Sequence, residues 1–207
     1  IIRAGLLSIE PATGFVKAWV GGVNFHHFAF DHVRQGRRQV GSTMKPFVYA
    51  TAMSMGVVKP CTKLSPEAYC VDPCDPLGKR WCPSGTPAKT VEAGLAASSN
   101  PTPVAVMSKM GACSGPQTIA KILSRMNITL PEDQVVPSMC LGTPDMSLFE
   151  MVGAQAMFVN GGIYVEPQTV IRIEDRNGNV IYSAEPYTRE VMSPSISYET
   201  LQMMKGV

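Results

Sequence analysis

The stretch Arg37-Arg38-Gln39-Val40-Gly41-Ser42-Thr43-Met44-Lys45-Pro46-Phe47 constrains this chain more than any other. A helix beginning near Ser42 sets Ser42 and Lys45 on one face, about 5 to 6 Å apart at Cβ. At such a start the helix dipole and the free backbone N–H groups favour a developing negative charge. The pattern therefore suits acyl transfer by a serine nucleophile with a lysine base beside it. Taken alone it has a bland alternative, an N-cap serine followed by a solvated lysine, so companion segments must decide.

One companion is Ser98-Ser99-Asn100, which follows the apolar helical stretch Val91 to Ala97 and precedes Pro101. Proline is favoured at the first position of a helix, so these residues read as a short turn between two helices. Such a turn aims the Ser98 hydroxyl and the Asn100 amide into a cleft. The alternative is that Asn100 only caps the helix that Pro101 opens.

Around these segments the patterning predicts strands at Arg3 to Glu10 and Phe15 to Val20, joined by the Pro11-Ala12-Thr13-Gly14 turn. Helices are expected near Ser42 to Met55, Val91 to Ala97, Pro101 to Met110, Pro116 to Met126 and Leu148 to Asn160. Ser147 and Glu150 form a capping-box signature for the last of these, and Gly161-Gly162 ends it. A hairpin runs from Val170 to Ser183 around Arg176-Asn177-Gly178-Asn179, and Ser197, Glu199, Leu201, Met203 and Met204 read as a further helix. Strands at both ends with helices between predict an α+β fold whose antiparallel sheet assembles from both chain ends.

With 207 residues, 45% of them hydrophobic, the chain can bury the core of one domain. A net charge of +2 argues against a polyanionic partner. Arg34, Arg37 and Arg38 lack interleaved aromatics and read as a solvated loop, so no nucleic-acid surface is expected. No apolar run approaches the roughly 18 residues of a membrane span, and the chain opens on a strand-like pattern rather than a signal peptide. Any anchor and export signal are expected upstream.

Six cysteines, Cys61, Cys70, Cys74, Cys82, Cys113 and Cys140, form an even set, four of them crowded into one loop. They lack the paired spacing of a zinc ribbon, so disulfides in an oxidising compartment are the better account. We expect two bridges within the loop from Cys61 to Cys82, their pairing open, and Cys113 with Cys140 as a third; buried free thiols are the alternative. His26, His27 and His32 beside Asp31 read as a polar loop, and no metal is expected. Met107, Met110, Met151 and Met157 recur at helical spacing and read as core.

The run Arg37 to Tyr49 resembles the active-site flank of class A penicillin-binding proteins, the bifunctional peptidoglycan synthases. Ala4 to Gly14 with Val20-Gly21-Gly22 is similar to the first hairpin of their transpeptidase domain, and Leu141-Gly142-Thr143, Ser147, Glu150, Ala156, Phe158 and Asn160-Gly161-Gly162 resemble its later helix and turn. Four blocks in the family's order cover most of the chain. The resemblance implies the transpeptidase fold shared with serine β-lactamases. It also implies that Ser42 attacks the D-Ala-D-Ala end of a peptidoglycan stem peptide and is acylated by penicillins, with no cofactor. Lys45 is then the base, Ser98 a proton relay to the leaving group, and Asn100 the group that orients Lys45 and binds the substrate backbone.

The family's third motif, Lys-Thr-Gly on an edge strand, is absent, and Lys205-Gly206 has no hydroxyl residue to replace it. The chain is thus expected to be a partial domain, its last strands lying beyond Val207, with a glycosyltransferase domain and membrane helix upstream. The implied location is the outer face of the bacterial inner membrane. Alternatives on the same serine are a D,D-carboxypeptidase or β-lactamase, in which water resolves the acyl-enzyme, a β-lactam sensor, and an idle scaffold.

Overall fold

In the computed structural model, which describes residues 3–24, 26–67, 69–71, 73–74 and 78–207, one helix lies at the centre. α1 (Lys45–Ser54) is largely apolar on every side, as a helix enclosed by others must be, and Lys45 through Met53 are all buried. α2 (Val91–Ala96), α3 (Pro101–Met110) and α4 (Ser114–Ser124) pack against it. α5 (Leu148–Val159) brings the Phe158 ring to 5.1 Å from that of Phe47, and α6 (Pro194–Met204) closes over α1, α2 and α5. Met107, Met110, Met151 and Met157 are all buried in this helical core, as their spacing implies.

Helix ends follow local chemistry. Ser147 and Glu150 make both bonds of the capping box at the start of α5, satisfying two otherwise orphaned N–H groups. Pro101 opens α3 where a missing N–H does no harm. At the end of α5 the chain turns through Gly161 and Gly162; a Cβ on Gly162 would lie 2.1 Å from Met192 O, so only glycine fits.

β1 (Leu6–Ile9) and β2 (Val16–Val20) form the expected hairpin, and β1 packs on α5. β3 (Arg37–Gln39) pairs with β4 (Asp145–Ser147) across more than a hundred residues. Sequence patterning missed this ribbon because all three residues of β3 are exposed and polar. β5 (Ile163–Val165) pairs with β8 (Thr188–Glu190), and β6 (Arg172–Glu174) with β7 (Val180–Ser183) in the expected hairpin.

The sheet is apportioned differently from expectation. Among the described residues there are four separate two-stranded ribbons rather than one sheet built from both ends. The short later strands each spend their ladder on one partner. The first hairpin joins that half only at a parallel bridge, where Val16 N donates to Gln168 O and Gln168 N to Gly14 O.

The disulfides also correct the expectation. Cys70 bonds Cys82 within the loop, but Cys74 leaves it to bond Cys113, while Cys61 and Cys140 are free thiols. Cys113 is the residue just before α4, on the loop's side of the core. Cys140 lies in the 3-10 turn Pro137–Leu141, fully buried as a free thiol. Cys61 is held away by the segment that runs beside α2, where Leu64 N donates to Lys89 O and Val91 N to Thr62 O.

A non-reducing peptide map of protein from an exporting host should recover Cys70–Cys82 and Cys74–Cys113, with Cys61 alkylated in the native state. Because the second bridge closes 39 residues of separation, Cys113→Ser should cost about 4 kcal/mol by chain entropy, read as a lowered denaturation midpoint. Recovery of a Cys61 disulfide would contradict this pairing.

Candidate active site

The 3-10 turn Gly41–Met44 carries Ser42 at the surface and leads directly into α1, so Lys45 becomes the first residue of a buried helix. Lys45 is only 1% exposed, which rules out a solvated lysine. Its Nζ donates to Ser98 O at 2.6 Å, Ser98 Oγ at 3.1 Å and Asn100 Oδ1 at 3.0 Å. Three acceptors match the three donors of an ammonium group. Ser98 Oγ in turn donates to Ser42 Oγ at 3.1 Å. The structure thus brings Ser42, Lys45, Ser98 and Asn100 together.

Ser42 and Lys45 sit at the junction of the turn and α1 and share Ser98 as a hydrogen-bond partner. Among the described residues Lys45 hydrogen-bonds to the Ser98–Asn100 turn, and Ser98 Oγ stands between the lysine and Ser42. Asn100 precedes α3 but makes no side-chain cap; its amide oxygen goes to Lys45 instead. The capping alternative therefore fails.

The turn between α2 and α3 is held in an uncommon conformation. Ser98 has φ +48°, a left-handed value that costs a non-glycine residue roughly 1–2 kcal/mol. Contacts around it impose that geometry. A Cβ on Gly94 would lie 2.2 Å from Thr102 Cγ2, so α2 and α3 approach closely only because residue 94 is glycine. Thr102 Oγ1 donates to Ser99 Oγ at 3.0 Å and accepts from Ala88 N at 3.0 Å, fixing the turn from behind.

The electrostatics follow from burial. Desolvation pulls the Lys45 amine below the ordinary lysine value, opposed by Cys140. Burial pushes the Cys140 thiol up to about 12, so it is neutral near pH 7 and supplies no counter-charge. Desolvation then wins, and the neutral amine is accessible at lower pH than in a free lysine.

Elsewhere a cavity of about 970 Å³ lies under the stapled loop between Trp81, Leu130 and Pro137, and none of the four site residues lines it. His32 stacks on Phe28 and meets Phe30 edge to face, and no cluster of three or more His, Cys, Asp or Glu side chains suited to a metal forms among the described residues. No helix among them is long and apolar enough to cross a membrane.

Residues 5–207 match the penicillin-binding protein transpeptidase domain. The chain belongs to that family. The whole chain aligns at 32% identity over 213 residues with 30% of penicillin-binding protein 2D of Bacillus subtilis (strain 168). At 34% identity over 207 residues, 98% of it aligns with 25% of penicillin-binding protein 1A of Rickettsia felis. It therefore spans less than a third of the length of these relatives. Its fold is similar to that of PonA1 from Mycobacterium tuberculosis, solved in complex with penicillin V, with a TM-score of 0.78 at 24% identity, covering 97% of this chain and 54% of that one.

In this transpeptidase domain, Gly142, Arg37 and Glu150 hold the site through long-range contacts that local sequence patterning does not disclose. Gly142, at φ +80°, accepts at its carbonyl oxygen from Gly41 N at 2.9 Å; a Cβ there would lie 1.9 Å from Gly41 O. Arg37 bonds Glu150 at 3.0 Å and Asp145 O at 3.1 Å, tying the strand before Ser42 to the start of α5. Part of the basic run is therefore structural rather than a solvated loop.

If burial governs Lys45, its titration in the folded protein, followed by NMR of the 13Cε-labelled side chain, should have a midpoint below the ordinary value of about 10.4. With the folded pKa lowered, the unfolded state binds more protons between the two values, so stability rises with pH across that window and this contribution is constant below it. Lys45→Met should remove this part of the pH dependence. A midpoint at or above the ordinary value would contradict the argument.

Proposed function

We propose that this domain is a serine D,D-transpeptidase that cross-links peptidoglycan stem peptides and is acylated by penicillins. The observation that carries the reading is the continuous hydrogen-bonded chain from a buried, desolvated lysine through Ser98 to an exposed serine hydroxyl. A hydroxyl is a weak nucleophile at neutral pH and needs a base that is partly unprotonated. Burial supplies that in Lys45.

The chemistry then runs along the chain. Ser42 gives its proton to Ser98 Oγ as Ser98 gives its own to neutral Lys45, and Ser42 Oγ bonds the penultimate D-Ala carbonyl. The C–N bond to the terminal D-Ala breaks, and Lys45 returns the proton through Ser98 to the departing amine. An amine from a neighbouring stem peptide attacks the acyl-enzyme by the reverse path and leaves the cross-link. Asn100 holds Lys45 in line and offers its remaining amide groups to the substrate backbone. Ser42 N–H, at the start of its turn, would supply one oxyanion donor.

The other oxyanion donor and the carboxylate-binding wall would come from a Lys-Thr-Gly strand in a part of the protein beyond these residues. An upstream glycosyltransferase domain and membrane anchor would make the whole protein a bifunctional synthase. Two disulfides accord with a location outside the cytoplasm.

The test is penicillin labelling of the full-length protein. One covalent adduct should form and map to Ser42, and Ser42→Ala should abolish it. Lys45→Arg should slow acylation by at least about 100-fold, because guanidinium stays protonated. An adduct on Ser98, or none at saturating drug, would defeat the assignment.

A further inference from the structure

Ser42 sits in a turn whose hydrogen bonding is interrupted by sequence. In the 3-10 turn Gly41–Met44 each carbonyl accepts from the N–H three residues on, as Ser42 O does from Lys45 N. Continuing that pattern would have Thr43 O accept from residue 46. Residue 46 is proline and has no N–H. The carbonyl beside the nucleophile is therefore left without its partner in that ladder.

A donor arrives from far along the chain. Gln155 Nε2, on α5, donates to Thr43 O at 2.8 Å. Gln155 is the one uncharged polar side chain on a helix that is otherwise apolar apart from Glu150. Its Oε1 is buried without a partner, so packing alone does not account for an amide here. The bond to Thr43 also fixes the amide's orientation, since the flipped form would set two oxygens face to face. A second contact from Nε2 to Met151 Sδ, at 3.7 Å, settles the side chain one helical turn back on α5.

We infer that Gln155 is a positioning residue for Ser42, holding the nucleophile turn on its C-terminal side as Gly142 holds it on the other. Gly41 N donates to Gly142 O upstream of the serine, and Thr43 O accepts from Gln155 downstream. Both tethers come from segments about a hundred residues later. The serine hydroxyl is thereby kept within 3.1 Å of Ser98 Oγ although its own turn cannot complete its bonds. The inference rests on the reading of Ser42 as the nucleophile.

The experiment uses the full-length protein, Gln155→Met, Pro46→Ala and the double variant. Gln155→Met keeps the side chain's length and removes the donor. It should slow the acylation step by penicillin about tenfold, short of the roughly 100-fold that a full 1 Å misplacement brings, while the affinity of the pre-acylation complex stays within about twofold. Pro46→Ala restores an N–H at residue 46, so in that background Gln155→Met should change acylation by less than about twofold. An equal loss in both backgrounds, or none in either, overturns the inference.

Amide hydrogen exchange supplies a readout independent of activity. Gln155→Met should speed exchange across residues 41–45 and leave α3 and α4 unchanged, and this holds whether or not the protein takes penicillin. Unchanged exchange across residues 41–45 overturns the inference. An unlabelled wild type with faster exchange in Gln155→Met would instead refute the reading of Ser42 and leave the positioning role standing.

Discussion

Placing the Lys45 amine at the buried end of α1 takes a charged group out of water, and the Ser98–Asn100 turn supplies the three oxygens that replace that water. A buried ammonium without such partners would be strongly unfavourable. Much of the local architecture follows from this exchange. α1 must be enclosed, so the five other α-helices pack round it. The turn must present a carbonyl, a hydroxyl and an amide to one point, which requires the left-handed backbone at Ser98 and the close approach of α2 to α3 at Gly94.

The turn that carries Ser42 shows the complementary problem. Ser42 is exposed, and its turn is too short to hold itself. β3 and β4, the Arg37–Glu150 pair and the Gly41–Gly142 contact connect it to the segment that leads into α5. Rigid elements from three distant parts of the sequence therefore meet at a hydroxyl. Precision of this kind is what the proposed proton relay across two hydrogen bonds of 3.1 Å would demand.

The four site residues were legible because short-range rules place them: a serine three residues before a lysine at a helix start, and a Ser-x-Asn turn ahead of a proline. Most helix positions and two hairpins were legible for the same reason, since periodicity and turn residues are local. What sequence did not disclose was long-range. The Arg37–Gln39 strand has no apolar alternation, because its role is to pair with residues more than a hundred positions away. That Ser98 would stand between Lys45 and Ser42 depends on how two loops dock. The same is true of Cys113, whose bond to Cys74 depends on where α4 begins in space rather than on cysteine spacing. Pro46 alone carried a local sign of a distant partner, a carbonyl deprived of its N–H.

We propose that Lys45 acts on Ser42 through Ser98, so that the two act as one unit. A double-mutant cycle on penicillin acylation with Lys45→Ala, Ser98→Ala and the double variant tests this most directly. If the relay is the path, the double variant should be no more than about threefold slower than the slower single variant, because removing either link already breaks the chain. If the two losses multiply, Lys45 and Ser98 act independently and the relay is wrong.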